Sequence, residues 1–235
     1  DLHSFPTRRS SDLVVVVVVQ ESVADRFVQI LKGMAERLVV GAAYDPATQL
    51  GPVINAAHKQ SVINWIDKGV AEGASLILDG RKCAPRGFED GFFVGPTIFD
   101  HVTPGMTVGD QEIFGPVVCI KRVRDFEEGL GLMNANPFAN GSSIFTQSGH
   151  YAREFVRHTD GGMVGVNVGI PVPLAFFPFS GNKQSFFGDL HVLGRDGLRF
   201  YTRTKSVTTK WVSPREMGEA QDRVSTWEGT INRDL

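Results

Sequence analysis

The sequence predicts an α/β fold built on a mostly parallel sheet with helices on both sides. Three observations predict it. Short apolar runs alternate with amphipathic stretches along most of the chain, the order expected of strands joined by helical crossovers. Six consecutive valines at 14–19 read as a strand buried on both faces, because β-branched side chains are stiff and suit a pleated surface. A turn at Gly115-Pro116 opens directly onto the apolar stretch 117–123, so the residues before it stand at the mouth of a buried strand.

The remaining elements follow in order. Val23, Phe27, Ile30, Leu31, Met34 and Leu38 recur at helical spacing and predict an amphipathic helix over 21–38, closed by Gly41. Tyr44-Asp45-Pro46 marks a loop. Asn55 is placed to cap a helix over 56–72 with Val62, Ile66 and Val70 inward, and Gly73 stops it. A short strand at 75–78 and a turn at Asp79-Gly80 precede a polar excursion over 81–90, after which 92–99 re-enters the core. Asp125 and Glu128 form a capping-box pattern ahead of a helix carrying Phe126, Leu130 and Met133, which ends at Asn136-Pro137. A strand at 142–145, a helix carrying Tyr151, Phe155 and Val156, and a strand at 163–168 complete the alternation. Residues 198–211 alternate large and polar side chains without an apolar face, which predicts a strand that pairs with a neighbouring subunit. Residues 212–235 are polar and aperiodic, the pattern of a tail.

Composition narrows the function. A net charge of −2 supplies no basic field for nucleic acid. The longest apolar run, 13–19, is far too short for a membrane span. Two cysteines, Cys83 and Cys119, are too few for a disulfide framework and suit a reducing compartment, so the expected location is cytoplasmic, or the mitochondrial matrix in a eukaryote. His58, His101 and His191 lack metal-type spacing, His150 and His158 read as solvated, and no metal site is expected. The chain begins at Asp1 and its first methionine is Met34, which reads as a processed or partial product. Residues 1–13 look like translated vector or adapter sequence and are set aside from the fold.

The richest stretch is 111–120, where Glu112 and Phe114 precede the Gly-Pro turn. An ionised carboxylate there accepts only, and can take two hydroxyl donors at once. Spacing alone leaves open that Glu112 is an ordinary loop carboxylate and Phe114 a core plug. The run Glu112-Ile113-Phe114-Gly115-Pro116-Val117 resembles a signature of the aldehyde dehydrogenase superfamily. Further matches lie at Leu50-Gly51-Pro52-Val53-Ile54, Val94-Gly95-Pro96-Thr97-Ile98, Asn136-Pro137-Phe138-Ala139-Asn140-Gly141, Gly165-Val166-Asn167-Val168 and Pro178-Phe179-Ser180-Gly181. The run Ser185-Phe186-Phe187-Gly188-Asp189, with Ile170-Pro171-Val172-Pro173-Leu174 upstream, is similar to the CoA-acylating methylmalonate-semialdehyde dehydrogenase branch.

The resemblance implies that 14–197 is the C-terminal part of a catalytic domain and that 198–211 is an oligomerisation strand of a homo-oligomer. It implies NAD as cofactor, with Glu112 on the nicotinamide ribose and Phe114 against the nicotinamide side, and coenzyme A as acyl acceptor. The expected substrate is a small semialdehyde, oxidised through a cysteine thioester. The family's nucleophilic cysteine falls within 1–13, which contains none, so this chain alone is expected to be inactive. Cys119 reads as a core thiol and Cys83 as a surface thiol whose cationic neighbours Arg81, Lys82 and Arg86 are placed to lower its pKa. No G-x-G-x-x-G fingerprint follows a strand. Residues 167–179, with Phe176, Phe177 and Phe179, are expected either to line the aldehyde channel or to be core.

Overall fold

The structure, a computed structural model, describes residues 16–211. The segment 1–13, the first two valines of the predicted strand and the tail 212–235 lie outside the described residues. The chain divides into two units, 1–200 and 201–235. In the first unit a four-stranded sheet runs in the order β1 (Val16–Gln20), β4 (Val117–Val123), β3 (Thr97–Asp100), β2 (Ser75–Leu78). β4 is parallel to both β1 and β3, while β2 is antiparallel to β3, so the sheet is mixed. Two small ladders follow: β5 (Phe138–Ala139) with β8 (Asn182–Lys183), antiparallel, and β6 (Gly141–Ile144) with β7 (Met163–Val166), parallel.

Alternation along the strands sorts the core into two layers. Phe99, Val117 and Cys119 face one side and pack with Val62 and Ile66 of α2 (Ala56–Ala71). Ile98 and Ile120 face the other and pack with Ala24 and Val28 of α1 (Glu21–Ala35). α2 crosses β3 closely at Gly69, where an added Cβ would stand 2.9 Å from the Phe99 ring. That approach turns the helix so that Gly69 is inward and Val70, predicted inward, is 44% exposed. On α1 the predicted Phe27 and Leu31 do pack, together with Ala24 and Val28, while Val23 and Ile30, also predicted inward, face outward.

Local signals read from the sequence are present as bonds. The Asn55 side chain accepts from the His58 N–H at 2.8 Å and starts α2. Asp125 accepts from the Glu128 N–H at 2.9 Å and starts α4 (Phe126–Asn134). The return bond of the capping box shifts by one residue, since Glu128 accepts from the Arg124 N–H instead. α5 (Gly149–His158) buries Phe155 and exposes Tyr151 and Val156.

Two expectations fail. Of the β1 valines only Val19 is buried and Val16 to Val18 are half-buried, because β1 is an edge strand with a ladder partner on one side only among the described residues. The predicted strand over 198–211 is not formed over its first four residues, which end a helix, α6 (Gly194–Tyr201), while 202–211, whose pairing was expected with a neighbouring subunit, join no ladder among the described residues. A stretch lacking an apolar face needs a partner strand to satisfy its backbone, whereas a helix satisfies its own.

At the carboxyl ends of the parallel strands sits a charged knot. Arg122, on β4, donates to both oxygens of Asp100 at 3.1 and 2.7 Å, and also reaches Glu21 at 2.9 Å and Asp25 at 2.8 Å. Burial opposes the Asp100 charge, yet the Arg122 bonds and the His101 N–H outweigh it and hold the carboxyl below the usual carboxylate range. Arg122→Ala would leave that carboxylate buried and unpaired, and should cost about 3–5 kcal/mol in a urea titration. Because the folded carboxyl titrates below its unfolded value of about 3.9, its stabilisation is complete above that pH and is lost as pH falls through the folded value. Asp100→Asn should therefore show a shallower loss of stability than wild type below about pH 4, measured by urea unfolding across pH.

Candidate functional site

Glu112 and Phe114 lie on the loop between α3 (Thr107–Asp110) and β4, at the amino edge of the parallel pair β3 and β4. Ligand crevices in open α/β sheets usually open at the carboxyl edge, so this loop fronts the opposite rim from the one the fold class alone suggests. The amino end of β1 enters at the same edge, since Val16 aligns with Cys119.

The loop is fixed from below. Ile113 is buried beneath it, while Glu112 and Phe114 on either side are exposed. Gly115 sits against α2, where a Cβ would stand 2.7 Å from a Val62 methyl. The glycine is thus required for close approach and not for its backbone angles: the left-handed residue is Phe114, at φ 56°. For a bulky side chain this conformation costs about 1–3 kcal/mol and persists only where the surroundings impose it. His58 lies against it. Its Nε2 is 2.8 Å from the Phe114 carbonyl oxygen, and its ring meets the Phe114 ring edge-on at 6.4 Å.

The result is a carboxylate beside a 48% exposed aromatic ring, both on a pinned loop. Among the described residues no hydrogen bond or ion pair engages the Glu112 carboxylate, so both of its oxygens can accept from a ligand. Phe114 is not a core plug. The crevice expected beside Glu112 is a different matter: neither of two open depressions, about 660 Å³ against α5 and about 390 Å³ along 162–178, is lined by Glu112 or Phe114.

The aromatic segment further along is not core either. Phe176 and Phe177 are 66% and 54% exposed and lean on each other at 4.7 Å, while Phe179 is half-buried and donates its N–H to the Val192 carbonyl. The 390 Å³ depression is lined by Pro171, Val172, Pro173 and Pro178 from the same segment, and not by the three phenylalanines. No ring contact or hydrogen bond joins this segment to the Glu112 loop among the described residues.

Neither cysteine is built as a nucleophile. Burial pushes the Cys119 thiol up to about 12, and it donates to the Val108 carbonyl from inside β4. Burial in a half-buried seat against Gly95 also raises Cys83, opposed only by Lys59, and Arg81, Lys82 and Arg86, the neighbours expected to lower its pKa, do not contribute. Reactive thiols need the reverse shift. Among the described residues no three His, Cys, Asp or Glu side chains converge as a metal site.

Sequence reasoning missed His58, which it weighed only as a metal ligand. Its place three residues after a capping asparagine was legible, but nothing local ties residue 58 to residue 114.

The sequence pattern of the aldehyde dehydrogenase family matches residues 13–207. This chain belongs to that family. Malonate-semialdehyde dehydrogenase 2 of Oceanobacillus iheyensis is 51% identical over 197 residues, covering 84% of this chain and 40% of that protein. Its counterpart in Shouchella clausii is 49% identical over 196 residues, covering 83% and 40%. Among solved structures, a methylmalonate-semialdehyde dehydrogenase of Sinorhizobium meliloti, described as putative and complexed with NAD, is 42% identical with a TM-score of 0.85, over 89% of this chain and 43% of that one. The chain thus spans about two fifths of the length of the curated relatives it matches.

Gly115→Ala should destabilise the chain by about 1–3 kcal/mol through overpacking on Val62. Adding Val62→Ala should recover part of that loss, giving a non-additive double-mutant cycle in urea unfolding.

Proposed function

We propose that this chain carries the nicotinamide-ribose loop of an NAD-dependent, CoA-acylating (methyl)malonate-semialdehyde dehydrogenase, as the C-terminal part of its catalytic domain. One observation carries the reading: an exposed carboxylate with no partner among the described residues stands beside an exposed aromatic ring, on a loop fixed from below by α2. An acceptor-only group of this kind suits paired sugar hydroxyls. The apolar face of Phe114 suits a flat ring. Glu112 would hold the ribose and Phe114 would pack against the nicotinamide side; NAD, when bound, supplies the hydride acceptor. The NAD-bound S. meliloti relative and the semialdehyde dehydrogenases at about half identity support the cofactor and the substrate class.

In this reading the opposite wall of the crevice and the nucleophile belong to the portion of a full-length relative that this chain does not span. Residues 1–13 are foreign sequence, 14–197 are the catalytic-domain part, and 212–235 are a tail. Phe176, Phe177 and Phe179 line the aldehyde path, and coenzyme A takes the acyl group. The absence of a usable thiolate favours a second role for the chain as given: an assembly module that joins other copies through 202–211.

The purified chain supplied with NAD, CoA and malonate semialdehyde should show no turnover, and measurable turnover would contradict the claim that it is catalytically incomplete. In calorimetric titration with NAD, Glu112→Ala should weaken binding about ten- to a hundredfold, the loss expected for hydrogen bonds to a charged acceptor. Equal affinity in the variant removes Glu112 from the cofactor site.

A further inference from the structure

We propose that His58 is a positioning residue for the 112–115 loop. Its imidazole holds the Phe114 peptide in the left-handed conformation from which Glu112 and Phe114 are presented together. The consequence for a nicotinamide nucleotide rests on the reading of Glu112 above; the positioning itself does not.

Two restraints on the loop come from one helix face. His58 and Val62 are four residues apart on α2, so their side chains lie one above the other. Val62 receives Gly115, and His58 reaches the carbonyl of the residue before it. The two contacts bracket the Phe114–Gly115 peptide. His58 is itself held, because its backbone N–H is the one that Asn55 caps. A connected path therefore runs from the start of α2 through the imidazole to the strained residue. A carbonyl only accepts, so Nε2 must carry the proton in this contact. Both the Nε2–H tautomer and the imidazolium satisfy that, so the bond needs a donor at that reach and does not need a titrating group. Glutamine should replace histidine here, and phenylalanine, which keeps a ring but has no N–H, should not.

The test is digestion of the full 235-residue chain by a glutamate-specific protease, with fragments followed by mass spectrometry. Glu89, in another exposed loop, serves as the internal reference. The ratio of cleavage after Glu112 to cleavage after Glu89 should rise about tenfold in His58→Ala and His58→Phe, the factor that one hydrogen bond of ordinary strength sets. It should stay within about twofold of wild type in His58→Gln. An unchanged ratio in His58→Phe overturns the proposal, and so does an equal rise in His58→Gln, which would mark the site as a packing position. Should His58→Ala not fold, the Gln and Phe pair decides alone. Saturating NAD should protect the Glu112 bond in wild type and His58→Gln more than in His58→Phe. If NAD protects no form while the cleavage ratios follow the pattern above, the positioning role stands and the cofactor reading of Glu112 falls.

Discussion

A loop and a helix meet where residue 115 has no side chain, and the candidate site depends on that contact. Val62 occupies the space a Cβ would need, and Ile113 is drawn into the core between two exposed residues. With the loop pressed onto α2, the Phe114 peptide comes within reach of His58 and is kept at a positive φ. The chain then enters β4 at Val117, in parallel register with Thr97 of β3. Packing thus dictates a backbone conformation, and that conformation dictates which side chains face outward.

The rest of the sheet gives this arrangement a rigid base. β4 lies between two parallel neighbours and has helices on both faces, with α2 on the side of Cys119 and α1 on the side of Ile120. At its far end Arg122 gathers three carboxylates from β3 and α1, joining the strand to the layer beneath it. An ion pair buried this deeply adds little to stability over an apolar packing, but breaking it on one side is costly. It therefore acts more as a registration point than as a source of net stability.

Much of this was legible in the sequence wherever the deciding interactions are local. The β4 strand, the Asn55 cap and the Asp125 cap each follow from a few neighbouring residues, and each is present. The elements misjudged are those decided by partners far along the chain. Which stripe of α2 turns inward depends on Phe99 approaching Gly69, and the role of Gly115 depends on Val62. The pKa of Cys83 depends on burial beside Gly95 and not on adjacent cations. Alternation over 198–211 suggested a strand, but a ladder needs a partner, and among the described residues none is offered. The motif around Glu112 identified the family correctly, while neither of the two open depressions is lined by Glu112 or Phe114.

The central claim is that the 112–115 loop, resting on α2, is the chain's own contribution to a nicotinamide nucleotide site. An NMR titration of the ¹⁵N-labelled chain with NAD tests it most directly. The perturbed amides should cluster at Ile113, Phe114 and Gly115 and at His58 beneath them. Perturbations confined to other parts of the chain, with the loop and the start of α2 unmoved, would contradict it.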